Sequence, residues 1–544
     1  MNPPVRLATF ALLVTVVGGC AADGADSGGS SEAPGGSPAQ SSVSATPPSQ
    51  TAALPPPLMP AMPLPENAVA DAVAALDGMA EDLMAKSGIP GMAVAVVHGG
   101  EAVYAKGFGV KNAELPDSGD NRVGPDTVFQ LASLSKPVGS TVVAHEVGAG
   151  TIGWDTPVVS QLPWFSLSDP AVTQMVTVGD MYAHRSGLPD HAGDLLEDLG
   201  YDRRLVLEKL REYPLDPFRI SYAYTNFGLT AGAEAVAAAA GESWEDLSAR
   251  VLYDPLGMSS TSSRFDDFTR RPNRAVGHIR IDDGYRPDYV RDPQPQAPAG
   301  AVSSSVNDMT HWMTMLLADG EFGGEQVVDP GALLPALTPQ VVSSPAGEPA
   351  MRSGFYGFGF NIGTTSSARM QMSHSGAFQL GSGTNFLMLP AADVAIIALT
   401  NSTPAGVAET LTAQFADLVQ FGEIREDWWA LYTKAFADMD EPVGSLVGRT
   451  PPADPTPPAP LASYVGQYSN TFWGPARVTQ TDDGLQLALG PDFVVPLEHW
   501  DGNVFTFTFV TENAPPGTIS TATFDGDWLT LEYFDRDGNG TFTR

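Results

Sequence analysis

The chain is short of cysteine and of basic residues. Its 544 residues include one Cys, and 28 Lys and Arg stand against 63 Asp and Glu, which gives a net charge of −35. A single cysteine excludes an intrachain disulfide and a thiolate zinc cluster. The acidic excess argues against nucleic acid and anionic membrane surfaces as partners, because both attract Lys and Arg. We expect no cofactor.

Two hydrolase signatures are also missing. Neither His-Glu-x-x-His nor Gly-x-Ser-x-Gly occurs in the chain. The first places two zinc ligands and a base on one helix face, and the second forms the sharp turn that carries an α/β-hydrolase serine. Their absence leaves the zinc-peptidase and α/β-hydrolase readings without support.

An apolar run near the N-terminus predicts export. Arg6 precedes the run from Leu7 to Val17, and Val17-Gly18-Gly19-Cys20 follows at once. A charged start, a short apolar core and small residues before a cut are typical of a signal peptide, and the run is too short to span a bilayer comfortably. The segment resembles the lipobox of bacterial lipoproteins, in which Cys20 would be acylated and anchor the protein to a membrane. The alternative is an ordinary secretory signal with an incidental cysteine.

Composition divides the chain into five segments. After the signal peptide (1–20), residues 21–65 are rich in Gly, Ser and Pro and predict a disordered tether. Residues 66–445 form the main folded domain, and a proline-rich linker covers 446–460. Residues 461–544 contain short alternating strands with Asp-Gly turns, which predict a small β-barrel.

The main domain mixes strands and helices. Apolar residues at helical spacing predict one helix from about Val69 to Leu83, a second over Ser133–Val147 and a very Ala-rich third over Phe227–Ala240. Strands are predicted near both ends of the domain, which implies one sheet built from distant segments. We therefore expect an α/β (α+β) fold, with an antiparallel sheet flanked by helices and an all-helical subregion.

Ser133 and Lys136 are candidate catalytic residues. They lie three residues apart, so on a helix they share a face. A serine hydroxyl becomes a good nucleophile when a neighbouring base takes its proton, and a lysine can be that base if burial or a positive neighbour lowers its pKa. The tetrapeptide alone is weak, because the chain has six lysines and a chance match is close to an even bet.

Two later motifs make the combination more specific. The phenol of Tyr224 can relay a proton, and Asn226 of the same Tyr-Thr-Asn motif can bind the acyl amide side of a substrate. His374-Ser375-Gly376 heads an apolar strand, and the backbone N–H groups of Ser133 and Ala377 are expected to form an oxyanion hole. Taken singly, Tyr224 is more often a packed aromatic and His374 a satisfied strand-end histidine.

Together these motifs resemble the serine β-lactamase and penicillin-binding-protein family, in its class C-like hydrolase branch. The resemblance covers roughly 67–420 and implies a transpeptidase-like fold, Ser133 as acyl-enzyme nucleophile, and Lys136 and Tyr224 as proton-transfer groups. It implies that Asn226 and His374 contact the substrate. The tail looks like a lipocalin-like domain that often follows such hydrolases. Further stretches similar to the family are Ile89-Pro-Gly-Met92, His184-Arg-Ser-Gly-Leu-Pro189, Pro255-Leu-Gly-Met258, Pro298-Ala-Gly-Ala-Val-Ser-Ser304, Tyr356-Gly-Phe-Gly359 and Leu399-Thr-Asn401; of these, His184 and Pro255-Leu-Gly-Met258 are interpreted as scaffold.

One departure bears on the substrate. Many members of the family carry a lysine, which grips a substrate carboxylate, where this chain has His374. A histidine is mostly neutral at pH 7, so its grip is weaker. We therefore expect an ester, small peptide or amide substrate, with β-lactams less favoured. The alternative is a non-catalytic protein that keeps this scaffold to bind cell-wall peptide.

Overall fold

A computed structural model of the chain describes residues 54–282 and 284–544. The predicted signal peptide, Cys20 and the tether as far as residue 53 lie outside the described residues. Within the described ranges, no helix combines the length and apolar character needed to cross a membrane.

The secondary structure alternates between long buried elements and short connecting ones. The α-helices are α1 Ala68–Ser87, α2 Ser135–Gly148, α3 Val158–Gln161, α4 Pro170–Met175, α5 Val178–Tyr182, α6 Asp194–Asp198, α7 Arg203–Lys209, α8 Asn226–Ala240, α9 Trp244–Ser248, α10 Phe265–Arg270, α11 Ala297–Gly300, α12 Val306–Leu317, α13 Pro330–Leu333, α14 Val407–Phe421 and α15 Trp428–Phe436. The strands of the main domain are β1 Gly91–His98, β2 Glu101–Gly109, β3 Phe129–Gln130, β4 Ile279–Ile281, β5 Gly284–Arg286, β6 Ser303–Ser304, β7 Glu321–Phe322, β8 Glu325–Gln326, β9 Val341–Ser344, β10 Gly354–Tyr356, β11 Asn361–Thr364, β12 Met370–Phe378, β13 Ser382–Leu389 and β14 Val394–Thr400. The strands of the C-terminal domain are β15 Gly466–Tyr468, β16 Ala476–Thr481, β17 Gly484–Leu489, β18 Phe493–Asp501, β19 Val504–Thr508, β20 Ile519–Asp525, β21 Trp528–Leu531 and β22 Thr541–Thr543.

The central sheet joins strands from both ends of the main domain. Its order is β2-β1-β14-β13-β12-β11-β10-β9, and neighbouring strands are antiparallel. In the β1–β14 pair Val94 lies opposite Ala398, about three hundred residues later in the chain. The predicted antiparallel sheet built from distant segments is confirmed.

Strand β1 is apolar at almost every position because both of its faces are covered. Met92, Val94 and Val96 belong to a hydrophobic cluster formed with α1 and α14. Ala93 and Ala95 alternate with them and belong to the main core, which includes α12 and the helical subregion. Successive side chains of a strand point to opposite faces, so a strand buried between two layers reads as an unbroken apolar run.

The helical subregion surrounds α2, which is buried along most of its length. The Ala-rich α8 packs beside α5 and α11. A Cβ at Gly232 of α8 would lie 3.0 Å from Met181 Cβ, so the small residues of α8 permit this close approach. The packing places the start of α8 next to the start of α2.

The C-terminal domain is a small barrel of antiparallel strands in the order β15 to β22. Ser469 and Thr543 exchange backbone hydrogen bonds of 2.6 and 3.0 Å, which join its first and last strands. This confirms the predicted small β-barrel. The prediction missed β15, β18 and β22, of which β15 and β22 are short; β18 carries Pro496 at an exposed position.

The segment before α1 lies against the sheet. Ala61 N–H donates to the Ser367 carbonyl oxygen at 2.8 Å, and Arg369 Nη2 donates to the Met62 carbonyl oxygen at 2.8 Å. The part of the predicted tether that the structure describes is therefore fixed to the main domain at these two points.

Candidate active site

Ser133 lies at the entrance to α2. The sequence predicts an α-helix from Ser133, but residues 132–134 form a 3₁₀ turn and α2 begins at Ser135. The preceding residue, Ala132, has a φ of 49°, in the left-handed region that costs energy for a residue with a Cβ. This turn carries Ser133 onto the wall of a cavity, and its side chain keeps partial exposure.

Lys136 meets Ser133 inside the protein. Its Nζ lies 2.9 Å from Ser133 Oγ, 2.7 Å from Asn226 Oδ1 and 3.0 Å from the Ala299 carbonyl oxygen. A neutral amine has two N–H groups and one lone pair. The two oxygens of Asn226 and Ala299 can only accept, so they take both N–H groups, and the lone pair faces the Ser133 hydroxyl.

The surroundings of Lys136 favour its neutral form. The side chain is fully buried, and burial lowers its pKa to about 7, against the opposing charge of Asp194. At neutral pH a large fraction of the amine is therefore unprotonated. A general base with a pKa near the working pH is the efficient one.

Tyr224 is the third of the predicted catalytic residues, beside Ser133 and Lys136. Lys136 Nζ lies 4.6 Å from the centre of the Tyr224 ring. Burial raises the pKa of Tyr224, and a hydrogen bond with Ser133 lowers it by less. The side chain therefore remains a phenol that can donate a proton, while Lys136 is the group that can accept one.

Asn226 links the amine to an acid. Its Nδ2 donates to Asp194 Oδ2 at 2.9 Å, and His191 Nδ1 lies 2.8 Å from the same oxygen. Burial lowers the pKa of His191, but the hydrogen bond and charge of Asp194 outweigh it and raise the pKa overall. This arrangement fixes the amide of Asn226 with its oxygen towards Lys136.

His374 is neutral and has no free ring nitrogen. Its Nδ1 lies 2.6 Å from the Ser375 carbonyl oxygen, which can only accept, so Nδ1 carries the proton. The other nitrogen, Nε2, then accepts from the Tyr356 hydroxyl at 2.8 Å. Burial first, and the nearby Lys136 second, lower the pKa of His374 to about 3. A neutral ring with both nitrogens engaged has no donor to offer a carboxylate.

Gly376 allows β12 to pass beside the nucleophile. A Cβ on this residue would lie 2.3 Å from the Leu131 carbonyl oxygen and 3.1 Å from Ser133 N. Both Ala377, the next residue, and Ser133 line the cavity, as the predicted oxyanion hole requires. The Ser375 hydroxyl is engaged by protein groups: it accepts a hydrogen bond from Asn385 Nδ2 at 2.9 Å and is hydrogen bonded to Glu409.

His184, interpreted as scaffold, supports the site from behind. It is buried, with its ring centre 4.6 Å from that of Tyr224 and 5.0 Å from that of Tyr356. The Thr225 backbone N–H donates to its Nδ1 at 3.2 Å. These contacts hold the Tyr224 ring against Lys136.

The cavity in front of Ser133 has a volume of about 290 Å³. Both domains contribute to its wall. Besides the residues already described, it is lined by Tyr222, Arg291, Gln296, Asn361, Phe378, Gln379, Asp438, Met439, Glu441 and Val443 of the main domain and by Glu512, Asn513 and Pro515 of the barrel.

Sequence reasoning missed several of these residues. Asp194 and His191 follow shortly after the family-like stretch His184–Pro189, and their His-x-x-Asp spacing at a helix start was the available signal. Arg291 lies outside the helices and strands, where periodicity carries no information. Glu512 belongs to the other domain, and no sequence signal connects it to Ser133.

Comparison with known proteins finds two family models that match this chain. A family model described as Beta-lactamase matches residues 76–421, and one described as Domain of unknown function (DUF3471) matches residues 450–543. The second match carries no assignment as a lipocalin-like domain.

Three curated relatives have hydrolase names. The unguisins hydrolase of Aspergillus violaceofuscus is 27% identical over 472 residues, which cover 78% of this chain and 81% of that protein. Esterase EstB of Burkholderia gladioli is 25% identical over 64% of this chain and 95% of its own length. The D-alanyl-D-alanine-carboxypeptidase/endopeptidase AmpH of Escherichia coli is 24% identical over 47% of this chain and 65% of its own.

A solved structure shows the same fold. The octameric penicillin-binding protein homologue from Pyrococcus abyssi superposes with a TM-score of 0.56 at 19% identity, and the match covers 85% of this chain and 98% of that one.

The pKa of Lys136 predicts the pH dependence of turnover. Below about pH 7 the amine gains a proton and loses the lone pair that faces Ser133, so kcat/KM should fall about tenfold for each further pH unit. The Asp194 charge raises the pKa of Lys136, so Asp194→Asn should move this acid limb to lower pH. Measuring kcat/KM for ester hydrolysis from pH 5 to 9 in wild type and Asp194→Asn checks both predictions. If the acid limb stays at the same pH in Asp194→Asn, Lys136 is not the group whose protonation causes it.

Gly376→Ala should disable the site. The added methyl would collide with the backbone oxygen of Leu131, and overpacking of this kind costs about 1–3 kcal/mol of stability. Because the collision pushes β12 away from Ser133, we expect turnover to fall far more than stability does. Gly363→Ala on neighbouring β11 is the matched control, since its Cβ would meet no atom within 4 Å. Turnover and a thermal melt are measured for both variants. Equal turnover would show that activity does not require β12 to pass this close to Ser133.

Proposed function

Because the chain belongs to the beta-lactamase family and is a serine hydrolase, we propose that it is exported and cleaves esters or small peptides through an acyl-enzyme on Ser133. The observation that carries this proposal is the set of three oxygens around Lys136 Nζ: Ser133 Oγ at 2.9 Å, Asn226 Oδ1 at 2.7 Å and the Ala299 carbonyl oxygen at 3.0 Å. In the neutral amine the two carbonyl oxygens take both N–H groups, which leaves the lone pair for the Ser133 hydroxyl.

The proposed reaction has two halves. Lys136 takes the proton of Ser133 as Oγ attacks the substrate carbonyl, and the oxyanion is stabilised by the backbone N–H groups of Ser133 and Ala377. Tyr224, kept as a phenol by burial, gives its proton to the leaving group and is reprotonated from Lys136. Water then hydrolyses the ester on Ser133 with the same groups acting in reverse.

The preference for esters and peptides over β-lactams rests on His374. A β-lactam presents a carboxylate, and neutral His374 has no free donor for it. Arg291 is a cation on the cavity wall, and it already lies against protein groups, 2.6 Å from Glu197 Oε2 and 3.6 Å from Glu512 Oε2. The names of the relatives, which include an esterase and a D-alanyl-D-alanine peptidase, support the same two substrate classes.

The proposal of export rests on the sequence that ends at Cys20. Arg6, the following apolar run and Val-Gly-Gly-Cys form the pattern of a lipoprotein signal. We propose that the mature enzyme begins at Cys20 and is held by lipid at a membrane, facing the periplasm or the cell exterior.

Loss of the nucleophile tests the activity. Ser133→Ala should lower p-nitrophenyl acetate turnover by at least about 10³-fold, because removal of a catalytic serine leaves only binding and oxyanion stabilisation. Ser118→Ala, at an exposed position, is the control. In the same preparations a fluorophosphonate should add to one site, located by peptide mass spectrometry at Ser133. Substrate binding without turnover in the unmodified protein, unaffected by Ser133→Ala, would favour the non-catalytic alternative.

Cys20→Ala tests the anchor. In cells given an alkyne-labelled fatty acid, the full-length protein should carry the label and sediment with membranes. Cys20→Ala should lose the label and leave the membrane fraction, because a single cysteine supplies the only thiol for acylation. Ser30→Ala, in the same N-terminal segment, serves as the control. Equal labelling of all three proteins would contradict the proposal.

A further inference from the structure

The C-terminal barrel forms part of the catalytic cavity. Between β19 and β20 the chain makes a connection over residues 509–518, called the barrel loop below. Three of its residues, Glu512, Asn513 and Pro515, line the cavity that contains Ser133. The loop reaches the site from a domain whose family match is described only as a domain of unknown function.

The barrel loop is fixed to the main domain at two places. Asp198, at the end of α6, accepts hydrogen bonds from Thr511 Oγ1 at 2.7 Å and from Asn513 Nδ2 at 3.0 Å and N at 3.2 Å. Glu512 accepts from the backbone N–H groups of Gln379 at 2.9 Å and Leu380 at 3.4 Å, in the turn that follows β12. The loop is therefore held against both α6 and the strand that borders Ser133.

Glu512 and Arg291 form a wall between two cavities. Beyond the catalytic cavity lies a more open groove of about 780 Å³ between the domains, lined also by Tyr201, Tyr289 and Asp492. Arg291 and Glu512 line both spaces, so these two side chains separate them. Arg291 Nε lies 3.6 Å from Glu512 Oε2, and Arg291 Nη2 lies 2.6 Å from Glu197 Oε2.

The wall is well anchored. The Arg291 and Glu512 side chains are 6% and 14% exposed, and Arg291 also donates to the Asp292 carbonyl oxygen at 2.9 Å. An arginine fixed by a buried carboxylate and a backbone oxygen has little freedom to swing away. Truncating Glu512 leaves the Arg291–Glu197 pair in place, so the gap would open on the Glu512 side.

We propose that Glu512 is a specificity-determining residue, which confines substrates to the catalytic cavity and excludes chains long enough to extend into the interdomain groove. This inference rests on the proposed hydrolase activity and gives the barrel its role in that activity. A cavity of about 290 Å³ is at the small end for ligand sites, whereas the groove behind the wall offers more than twice that volume. The enzyme therefore selects esters or peptides in which the part of the substrate on the barrel-loop side of the scissile bond is short.

Replacement of Glu512 tests the wall. Two ester series are needed, since either side of the bond can face the loop: p-nitrophenyl esters from acetate to octanoate, and acetate esters from methyl to octyl. For each series we take the ratio of kcat/KM for the eight-carbon ester to kcat/KM for the shortest ester. In Glu512→Ala we expect this ratio to be at least tenfold higher than in wild type for one of the two series. The readout is this ratio within each protein, so a uniform change in turnover caused by the substitution does not affect it.

Two controls separate size from charge and from folding. Glu512→Gln keeps the volume and removes the charge, and because burial raises the pKa of Glu512 to about 8, the neutral isostere resembles a form already present at neutral pH. It should keep the wild-type length profile. Glu498→Ala, exposed on β18, should leave both series unchanged.

The outcomes distinguish the two levels of the proposal. Unchanged length profiles in both series for Glu512→Ala would overturn the wall, with acetate turnover still supporting the hydrolase. An equal rise in Glu512→Gln would also overturn it, because charge and not bulk would then be responsible. If Glu512→Ala loses acetate turnover, Glu512→Asp decides, because it is one methylene shorter and keeps the carboxyl group. A raised ratio for the eight-carbon ester supports the wall, and an unchanged ratio rejects it.

Discussion

Burial of one amine controls the chemistry of this protein. Lowering the pKa of Lys136 from 10.5 to about 7 corresponds to about 5 kcal/mol against its protonated form. The negative charge of Asp194 opposes this shift and is outweighed, because desolvation of a fully buried ammonium is the larger effect. The surrounding fold excludes water from Lys136, and it must then supply hydrogen-bond partners for the buried amine.

Two carbonyl oxygens keep the buried amine satisfied. Asn226 Oδ1 comes from the start of α8 and the Ala299 oxygen from α11, and both elements pack against α2. A buried polar group without a partner costs free energy, so these acceptors make the burial of Lys136 tolerable. They also orient it, since the position left for the lone pair is the one that faces Ser133.

Other polar side chains on the cavity wall are also held by protein partners. His374 is held neutral by burial and uses both ring nitrogens on Tyr356 and Ser375, and Arg291 lies 2.6 Å from Glu197 and 3.6 Å from Glu512. Both side chains are therefore held by protein groups before a substrate arrives. Selection by size, through a wall completed by the second domain, is consistent with a site built in this way.

The sequence alone was sufficient for the parts that local rules govern. Apolar runs predicted strands near both ends of the main domain, helical spacing predicted α1 and α8, and the order Ser133, Lys136, Tyr224, His374 indicated the family and the chemistry. The position of Ser133 on a 3₁₀ turn, with a left-handed Ala132 before it, was beyond those rules, because tertiary contacts override the local preference for a helix. Tertiary structure alone decided the pKa values of Lys136 and His374, since desolvation depends on what covers a side chain. It alone brought Asp194, Arg291 and Glu512 to the cavity, because residues far apart in the chain meet only when the sheet and the two domains assemble.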